Sequence, residues 1–152
     1  MSTKHDVASV LERETATTID TWYTRVEAEK DLTNIPLSRK DRCAHLPEMF
    51  KDLVFRLRNP LPLGSRALVS EGARNHGALR RDQGYTAAMM VEESRMLQVS
   101  IFQTLQQNLQ KVNFSVLLVD VMAIADEVDS QLAQAMTSYI SEAKTDAQPI
   151  ES

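Results

Sequence analysis

The sequence predicts an all-α protein that folds as an up-and-down bundle of about five helices. Its 152 residues include only four glycines and five prolines, which leaves long stretches without a turn signal. Apolar residues recur at intervals of three and four, and no stretch shows the two-residue alternation of a half-buried strand. Aromatic residues make up only 5% of the chain, which disfavours sandwiches and barrels. A chain of this length can bury the core of one domain.

The first two helices are predicted from apolar spacing and from capping residues. We expect the first helix over residues 4–31 and a loop over residues 32–37, after which Ser38 caps the next helix. Pro47 either kinks this second helix or marks a new start, because proline is tolerated only in the first helical turn. The apolar positions of the second helix are Leu46, Phe50, Leu53, Val54 and Leu57.

The third and fourth helices follow a break over residues 58–64, which contains two prolines and a glycine. We predict the third helix over residues 65–82, then a turn and a fourth helix that Thr86 caps and that ends near residue 110. One face of the fourth helix carries a row of apolar residues, namely Met90, Leu97, Ile101, Leu105 and Leu109.

The fifth helix is predicted over residues 113–143. Its apolar residues at helical spacing are Phe114, Leu117, Val121, Ile124, Val128, Leu132, Met136 and Ile140. We assign residues 1–143 to one helical domain. The polar residues 144–152 are interpreted as a tail or as a linker to a downstream module.

Composition excludes several classes of protein. The formal net charge is −4, and acids surround the single basic cluster of Arg74, Arg80 and Arg81, so no nucleic-acid partner is expected. Cys43 is the only cysteine, which rules out an intrachain disulfide. The N-terminus lacks an apolar signal core, and the longest apolar stretch, residues 114–125, is too short to span a bilayer. We therefore expect no membrane association and a cytoplasmic location.

A single acid in an apolar helix is the strongest functional signal in the sequence. Glu93 has Met89, Met90, Met96 and Leu97 three and four residues away on the predicted fourth helix. We therefore expect Glu93 to lie on or beside a buried face. A buried acid must find a partner or stay protonated.

The partners of Glu93 are predicted in the preceding helix. If the chain reverses at Gly84 and Tyr85 into an antiparallel hairpin, His76 lies level with Glu93, and Arg80 lies one turn nearer the loop on the same face. We predict a His76–Arg80–Glu93 cluster that acts as a sensing site or switch. The alternative is a satisfied polar network that only pins two helices together, which is the more common role of buried charges.

The methionines near this cluster predict an adaptable pocket, because the flexible thioether side chain fills irregular spaces. Such a pocket is a candidate site for a small-molecule ligand. Ordinary core packing is the simpler interpretation of the same residues. The predicted lining consists of Trp22, Met89, Met90, Met96 and Leu97.

The first half of the fifth helix is apolar nearly all round, which predicts a central or interface position. We predict a homodimer in which Leu117, Asp120, Val121 and Ile124 form the dimer face or the face through which a signal leaves the bundle. Asp120 either pairs with a base from another helix or lies in solvent at the edge of that face, and the second is the simpler interpretation.

The sequence contains no pattern that indicates catalysis. We find no nucleophile with a base, no glycine-rich phosphate loop and no paired carboxylates, so no catalytic residue is predicted. His5, His45 and His76 have no ligand-like spacing, so we expect no metal and no cofactor. A phosphotransfer role for His76 is an alternative, although Leu79 and Arg80 stand where such modules carry lysine and glycine.

The hairpin residues resemble a known family. Residues 76–80, 84–85 and 93–97 resemble the all-helical N-terminal sensor domain of the RsbRD family, the co-antagonists of the RsbT kinase in stress-response signalling. The family pattern is His-x-x-x-Arg, a Gln-Gly-aromatic turn and a Glu-aromatic-x-x-Leu-Arg segment. Ser94 replaces the aromatic residue and Gln98 replaces the arginine. The resemblance covers roughly residues 7–140.

This resemblance implies a non-catalytic input domain of a cytoplasmic sensor histidine kinase or a stressosome-type regulator. His76, Arg80 and Glu93 match the family motif. The implied partner is a downstream kinase or regulator module. From the apolar surroundings of Glu93, we predict that a change in the cluster shifts helix packing at the exit of the bundle, through the fourth and fifth helices. A purely structural dimerisation module is the alternative from another functional class.

Overall fold

The structure is a computed structural model and describes residues 6–65 and 68–147. These residues form helices and contain no β-strand. The prediction of an all-α bundle is confirmed. In chain order the elements are α1 (Val7–Arg13), α2 (Thr15–Glu27), α3 (Lys30–Thr33), α4 (Arg39–Arg42), α5 (Leu46–Arg58), α6 (Glu71–Asp82), α7 (Ala87–Gln107), two 3₁₀ turns (Leu109–Lys111 and Phe114–Val116) and α8 (Leu117–Ala147).

The long C-terminal helix α8 is the element around which the bundle is organised, because it packs against α5, α6 and α7. On the other side, α1 packs on α5 and α2 packs on α7. The core between them contains Trp22 from α2, Phe50 from α5, Ile101 from α7 and Ile124 from α8, all buried. Burial of large apolar side chains such as these is the main stabilising contribution to the fold.

The N-terminal helix is shorter and more broken than predicted. Instead of one helix over residues 4–31, α1 ends at Arg13 and α2 ends at Glu27, while residues 4 and 5 lie outside the described residues. The Thr15 hydroxyl donates to the carbonyl of Leu11 at 2.8 Å, a bond that competes with regular helix geometry at the break. The predicted loop over 32–37 also begins later, because α3 forms a helical turn that buries Leu32.

Side-chain caps fix the beginnings of α4 and α7. Ser38 accepts from the Asp41 backbone N–H at 3.1 Å, and Thr86 caps α7 as predicted. Pro47 lies in the first turn of α5, which begins afresh at Leu46 after the short helix α4. Of the two outcomes that the proline allowed, the new start is the one observed.

Helix α6 begins six residues later than predicted. The expected start was residue 65, but Ser70 has an extended backbone and caps the helix, and its hydroxyl oxygen accepts from the Ala73 N–H at 3.1 Å. Residues 66 and 67 lie outside the described residues. The prediction failed because nothing in the sequence marks Ser70, rather than Ser65, as the cap.

The end and the buried face of α8 also differ from the prediction. The helix continues to Ala147 rather than ending at residue 143, and residues 148–152 lie outside the described residues. After Val128, the buried positions are Gln131, Ala135 and Tyr139, whereas the predicted Leu132 and Met136 are half-buried. Phe114 and Ile140, from the two ends of the predicted row, are exposed.

The shifted face of α8 results from a close contact with α6 at Gly77. A Cβ atom placed on Gly77 would lie 1.9 Å from the carbonyl oxygen of Ala135, so the backbone of α8 occupies the position of a side chain. Only glycine permits this approach. Because the contact turns Ala135 toward α6, the larger neighbours Leu132 and Met136 lie at the margin of the core.

Candidate functional site

Glu93 is held inside the bundle by the apolar residues that surround it on α7. Its side chain is buried, and Met90 and Leu97 on the same helix are also buried. The indole N–H of Trp22 donates to the backbone carbonyl of Glu93 at 3.1 Å, which ties α2 to this turn of α7. This bond holds the backbone of Glu93 in position independently of the contacts that its carboxylate makes.

The α6–α7 hairpin brings His76 and Arg80 to the Glu93 carboxylate. Gly84 forms the turn with a positive φ of 88°, a conformation that favours glycine. His76 Nε2 lies 2.6 Å from Glu93 Oε1, and Arg80 Nε donates to the same oxygen at 2.9 Å. The structure thus brings together the three residues that the sequence analysis selected, which we call the polar cluster.

The charge of Glu93 is stabilised by its two partners. Burial alone would raise the pKa of its carboxyl group, but the charges and hydrogen bonds of His76 and Arg80 outweigh burial and lower the pKa to about 2. Glu93 is therefore ionised at neutral pH. A buried carboxylate in this state binds its neighbours strongly, and removal of either side leaves a buried charge without compensation.

Two residues that the sequence analysis did not select, Arg42 and Tyr85, extend the polar cluster. Arg80 Nη2 donates to the carbonyl of Arg42 at 2.5 Å, and its guanidinium carbon lies 4.6 Å from the centre of the Tyr85 ring. Arg42 Nη1 lies 2.6 Å from the Tyr85 hydroxyl oxygen. A large aromatic residue directly after the Gly84 turn was the available signal for Tyr85; no comparable signal marks Arg42.

The cluster also reaches α8 through Tyr85. The hydroxyl of Tyr139, which is buried on α8, donates to the backbone carbonyl of Tyr85 at 2.7 Å. The guanidinium of Arg81 lies 5.4 Å from the centre of the Tyr139 ring. A continuous set of polar contacts therefore joins α4, α6, α7 and α8.

A small pocket lies beside the cluster, with a volume of about 20 Å³. This is room for roughly one water molecule. Trp22, Met90 and Leu97 line it, as predicted, together with Glu93 itself. The second carboxylate oxygen of Glu93, Oε2, is buried and has no hydrogen-bond partner among the described residues. In this conformation the pocket does not hold a larger ligand.

Two residues of the predicted lining, Met89 and Met96, do not border this pocket. Met90, Glu93 and Leu97 share one face of α7, whereas Met89 and Met96 lie about one residue step, or 100°, around the helix. The Met89 sulfur accepts from the Thr86 N–H at 3.4 Å at the start of the helix. The prediction of these two residues was wrong because apolar character alone does not identify which face is turned to the pocket.

The predicted dimer or exit face is only partly available at the surface. Ile124 is fully buried in the core, so its assignment to this face was wrong, and Leu117 and Val121 are half-buried against the core. Asp120 is half-buried, and burial, with a smaller contribution from Asp6, raises the pKa of its carboxyl group. The strongly exposed apolar residues lie on the opposite side of the same turns.

These exposed residues form an apolar surface at the start of α8. Leu118 is 71% exposed and Val119 is 66% exposed. Phe114, in the preceding 3₁₀ turn, and Met122, one turn further on, are also exposed. We call these four residues the α8 apolar surface. Contiguous exposed apolar side chains of this kind are uncommon on monomers and often mark interaction sites.

The two neighbouring histidines, His45 and His76, do not form a metal site in the part of the chain that the structure describes. His45 and His76 are neighbours with ring centres 6.2 Å apart, and burial and then His76 lower the pKa of His45. No group of three or more His, Cys, Asp or Glu side chains in residues 6–65 and 68–141 could hold a metal ion. His5 lies outside the described residues.

No family model, no curated protein and no solved structure matches the chain. Among the described helices, none combines the length and the apolar character needed to cross a bilayer.

Proposed function

We propose that this chain is a non-catalytic signal-input domain of a bacterial signalling protein, either a sensor histidine kinase or a stressosome-type regulator. The observation that carries the proposal is the position of Glu93, whose buried carboxylate binds both His76 and Arg80 across the α6–α7 hairpin. The resemblance to the RsbRD sensor domain rests on the same three residues. A cytoplasmic location and a downstream kinase or regulator partner belong to this proposal.

The proposed mechanism is transmission through the contacts that lead from the polar cluster to α8. A signal that alters the Glu93 contacts shifts Arg80, which stacks on Tyr85, and Tyr85 is bonded to Tyr139 on α8. Because α8 packs against α5, α6 and α7, a change at Tyr139 alters contacts with three other helices. Such a signal must have different affinities for two packing states, since otherwise it shifts no equilibrium.

The small pocket limits the class of signal. A volume of about 20 Å³ admits a water molecule but no metabolite. A small-molecule ligand therefore requires repacking of the flexible Met90 side chain, whereas a protein signal does not. Native mass spectrometry with a visible absorption spectrum distinguishes the two, because a bound molecule adds mass or absorbance.

The burial of His76 argues against the phosphotransfer alternative. Its imidazole is buried, and its Nε2 atom contacts Glu93. A phosphotransfer histidine must present a ring nitrogen to a phosphodonor. In this geometry such access requires that the α6–α7 contact opens first.

We expect Glu93→Gln to loosen α8 as well as the hairpin. A neutral amide retains the shape but weakens the charged hydrogen bonds to His76 and Arg80 by about 1–3 kcal/mol. Amide hydrogen exchange around Tyr139 should therefore accelerate by about tenfold or more. Exchange measured by mass spectrometry on peptides from α6, α7 and α8 reads this effect directly.

Two controls separate transmission from general instability. Glu92→Gln removes the same charge one residue away, from an ion pair with Arg95 near the surface, and should leave exchange in α8 unchanged. Val10→Ala weakens the buried core in α1, a helix that contributes no residue to the polar cluster. If Glu93→Gln accelerates exchange in α8 no more than Val10→Ala does at equal global stability, the transmission mechanism is wrong.

The α8 apolar surface favours a second candidate function, that of a dimerisation module. Phe114, Leu118, Val119 and Met122 are all exposed, and the only charged residue among positions 112–125 is Asp120. A symmetric dimer buries such a surface against its own copy. Signal input and dimerisation are compatible, because the same helix carries the output contacts of Tyr139.

If this surface pairs two copies, Leu118→Glu should convert a dimer into a monomer. The substitution places two like charges near a two-fold axis and costs little in the monomer, where Leu118 is solvent-exposed. Sedimentation velocity or light scattering measures the change in mass. Val91→Glu, at an exposed position on α7, is the matched control and should leave the mass unchanged. A wild-type chain that is monomeric at all accessible concentrations contradicts the dimer.

A further inference from the structure

A second buried acid, Glu127, lies outside the polar cluster. It is on α8, it is only 2% exposed, and it makes no contact with His76, Arg80 or Glu93 among the hydrogen bonds and ion pairs of the described residues. Its carboxylate faces α5, where Arg56 is also buried. A carboxyl group in this position has to be compensated by a partner or stay protonated.

Arg56 is shared unequally between two acids of α8. Its Nη2 atom donates to Asp126 Oδ2 at 3.2 Å, whereas its Nε atom is 4.0 Å from Glu127 Oε1. Glu127 Oε2 accepts a hydrogen bond from Gln131 Nε2 at 3.2 Å, but the same amide also donates to the carbonyl of Met49 at 3.0 Å. Glu127 therefore has no cation of its own.

Burial disfavours the ionised form of Glu127, and the charges around it do not compensate for that burial. The described charged groups with the largest effect on it are Arg56 and Asp52 from α5 and Asp126 from α8, and none of these three belongs to α6 or α7. Asp52 is itself bonded to the Ser70 hydroxyl at 2.6 Å. Burial is the largest cause of the pKa shift and, with the two aspartates, it outweighs Gln131 and Arg56 and raises the pKa of Glu127 to about 7.

Asp126 connects this arrangement to the loop before α6. Its Oδ2 atom, which accepts from Arg56, also accepts from the backbone N–H of Gly64 at 3.1 Å. One carboxylate oxygen thus holds both a side chain of α5 and the loop against α8. Any movement of Arg56 toward Glu127 changes the charge balance at the oxygen that binds Gly64.

We propose that Arg56, Asp126 and Glu127 form a proton-controlled switch between α5 and α8. With a proton on Glu127, Arg56 pairs with Asp126, which binds the Gly64 N–H. When Glu127 releases that proton to solvent, its new negative charge draws Arg56 across the 4.0 Å gap and alters the contact with Gly64. The switch goes beyond signal input through the polar cluster and does not require it.

The switch has a definite direction with pH. The folded-state pKa of Glu127, about 7, lies above the ordinary value of 4.5, so the folded chain binds more protons than the unfolded chain between these values. The contribution of Glu127 to stability is therefore complete below pH 4.5 and is lost as pH rises through 7. The acidic state is therefore the more stable one, and in it Arg56 pairs with Asp126.

Nuclear magnetic resonance of the whole chain tests the switch at the carboxyl group of Glu127 and at the backbone N–H of Gly64. The side-chain carboxyl ¹³C shift of Glu127 and the amide shift of Gly64 are followed from about pH 5 to about pH 9. We expect both to move with a common midpoint near pH 7. In Glu127→Gln the Gly64 transition should disappear, whereas Asp129→Asn, an exposed neighbour on α8, should leave it in place.

Three results overturn the proposal. One is a Glu127 midpoint below about pH 5, which would mean that the carboxyl group behaves as an ordinary exposed acid. Another is a Gly64 amide that does not move while Glu127 titrates in the wild-type chain. The third is a Gly64 transition that persists in Glu127→Gln. The first two need no variant, so a failure of Glu127→Gln to fold does not block the test.

Discussion

Gly77→Ala should destabilise the bundle by about 3 kcal/mol or more, at the upper end of what overpacking costs. The new Cβ atom would lie 1.9 Å from the carbonyl oxygen of Ala135, and a backbone atom cannot move aside as a side-chain tip can. Helices α6 and α8 must separate, which also displaces Tyr139 from Tyr85. Urea denaturation followed by far-ultraviolet circular dichroism measures the loss.

Gly72→Ala is the matched control in the same helix. Both changes replace glycine by alanine within α6, which raises helix propensity by up to about 1 kcal/mol, so the difference between them reports mainly the contact with the neighbouring helix. At Gly72 the nearest atom to an added Cβ is the Glu48 side-chain Cβ at 3.0 Å, and a small shift of α5 relieves it. Equal stabilities of the two variants would contradict the close α6–α8 contact.

Glu93→Leu should cost about 3–5 kcal/mol, as expected when one partner of a buried ion pair is removed. The apolar side chain leaves Arg80 buried without a carboxylate and leaves His76 Nε2 without its partner. If the loss in the free energy of unfolding is below about 1 kcal/mol, the cluster neither holds the two helices together nor acts as a switch. A thermal or urea melt at neutral pH makes this measurement.

The same variant measures how much Glu93 contributes to the pH dependence of stability. Its pKa falls from 4.5 in the unfolded chain to about 2 in the folded chain, so the unfolded state binds more protons between these values. The stabilisation is complete above pH 4.5 and decreases as pH falls toward 2. The difference in stability between wild type and Glu93→Leu should therefore shrink as pH falls from about 5 to about 3. A constant difference over that range would contradict the lowered pKa.

The hairpin and its three polar residues were predictable because their signals are local. Turn residues near Gly84 fix where the chain reverses, and helical spacing then fixes which residues face each other. The apolar neighbours of Glu93 on the same helix predict that its side chain is buried. These inferences need no knowledge of the third dimension beyond the geometry of one helix pair.

Glu127 was missed although the same rule applies to it. Ala123 and Ile124 precede it by four and three residues, but Ser130 and Gln131 follow it, so its environment is only half apolar in sequence. Asp120 has apolar neighbours on both sides and was selected as a candidate residue, yet it is only half-buried. Local apolarity therefore ranks the two acids in the wrong order, because burial depends on which helix packs opposite each one.

The sequence by itself determined the helical class, the caps of α4 and α7, the hairpin and the meeting of His76, Arg80 and Glu93. Each follows from periodicity, from glycine in the turn or from a local hydrogen bond. Only the tertiary structure decided the rotation of α8, the burial of Ile124 and Glu127, and the addition of Tyr85 to the cluster. The reason is physical: these features depend on contacts between helices distant in sequence, where packing outweighs local preference.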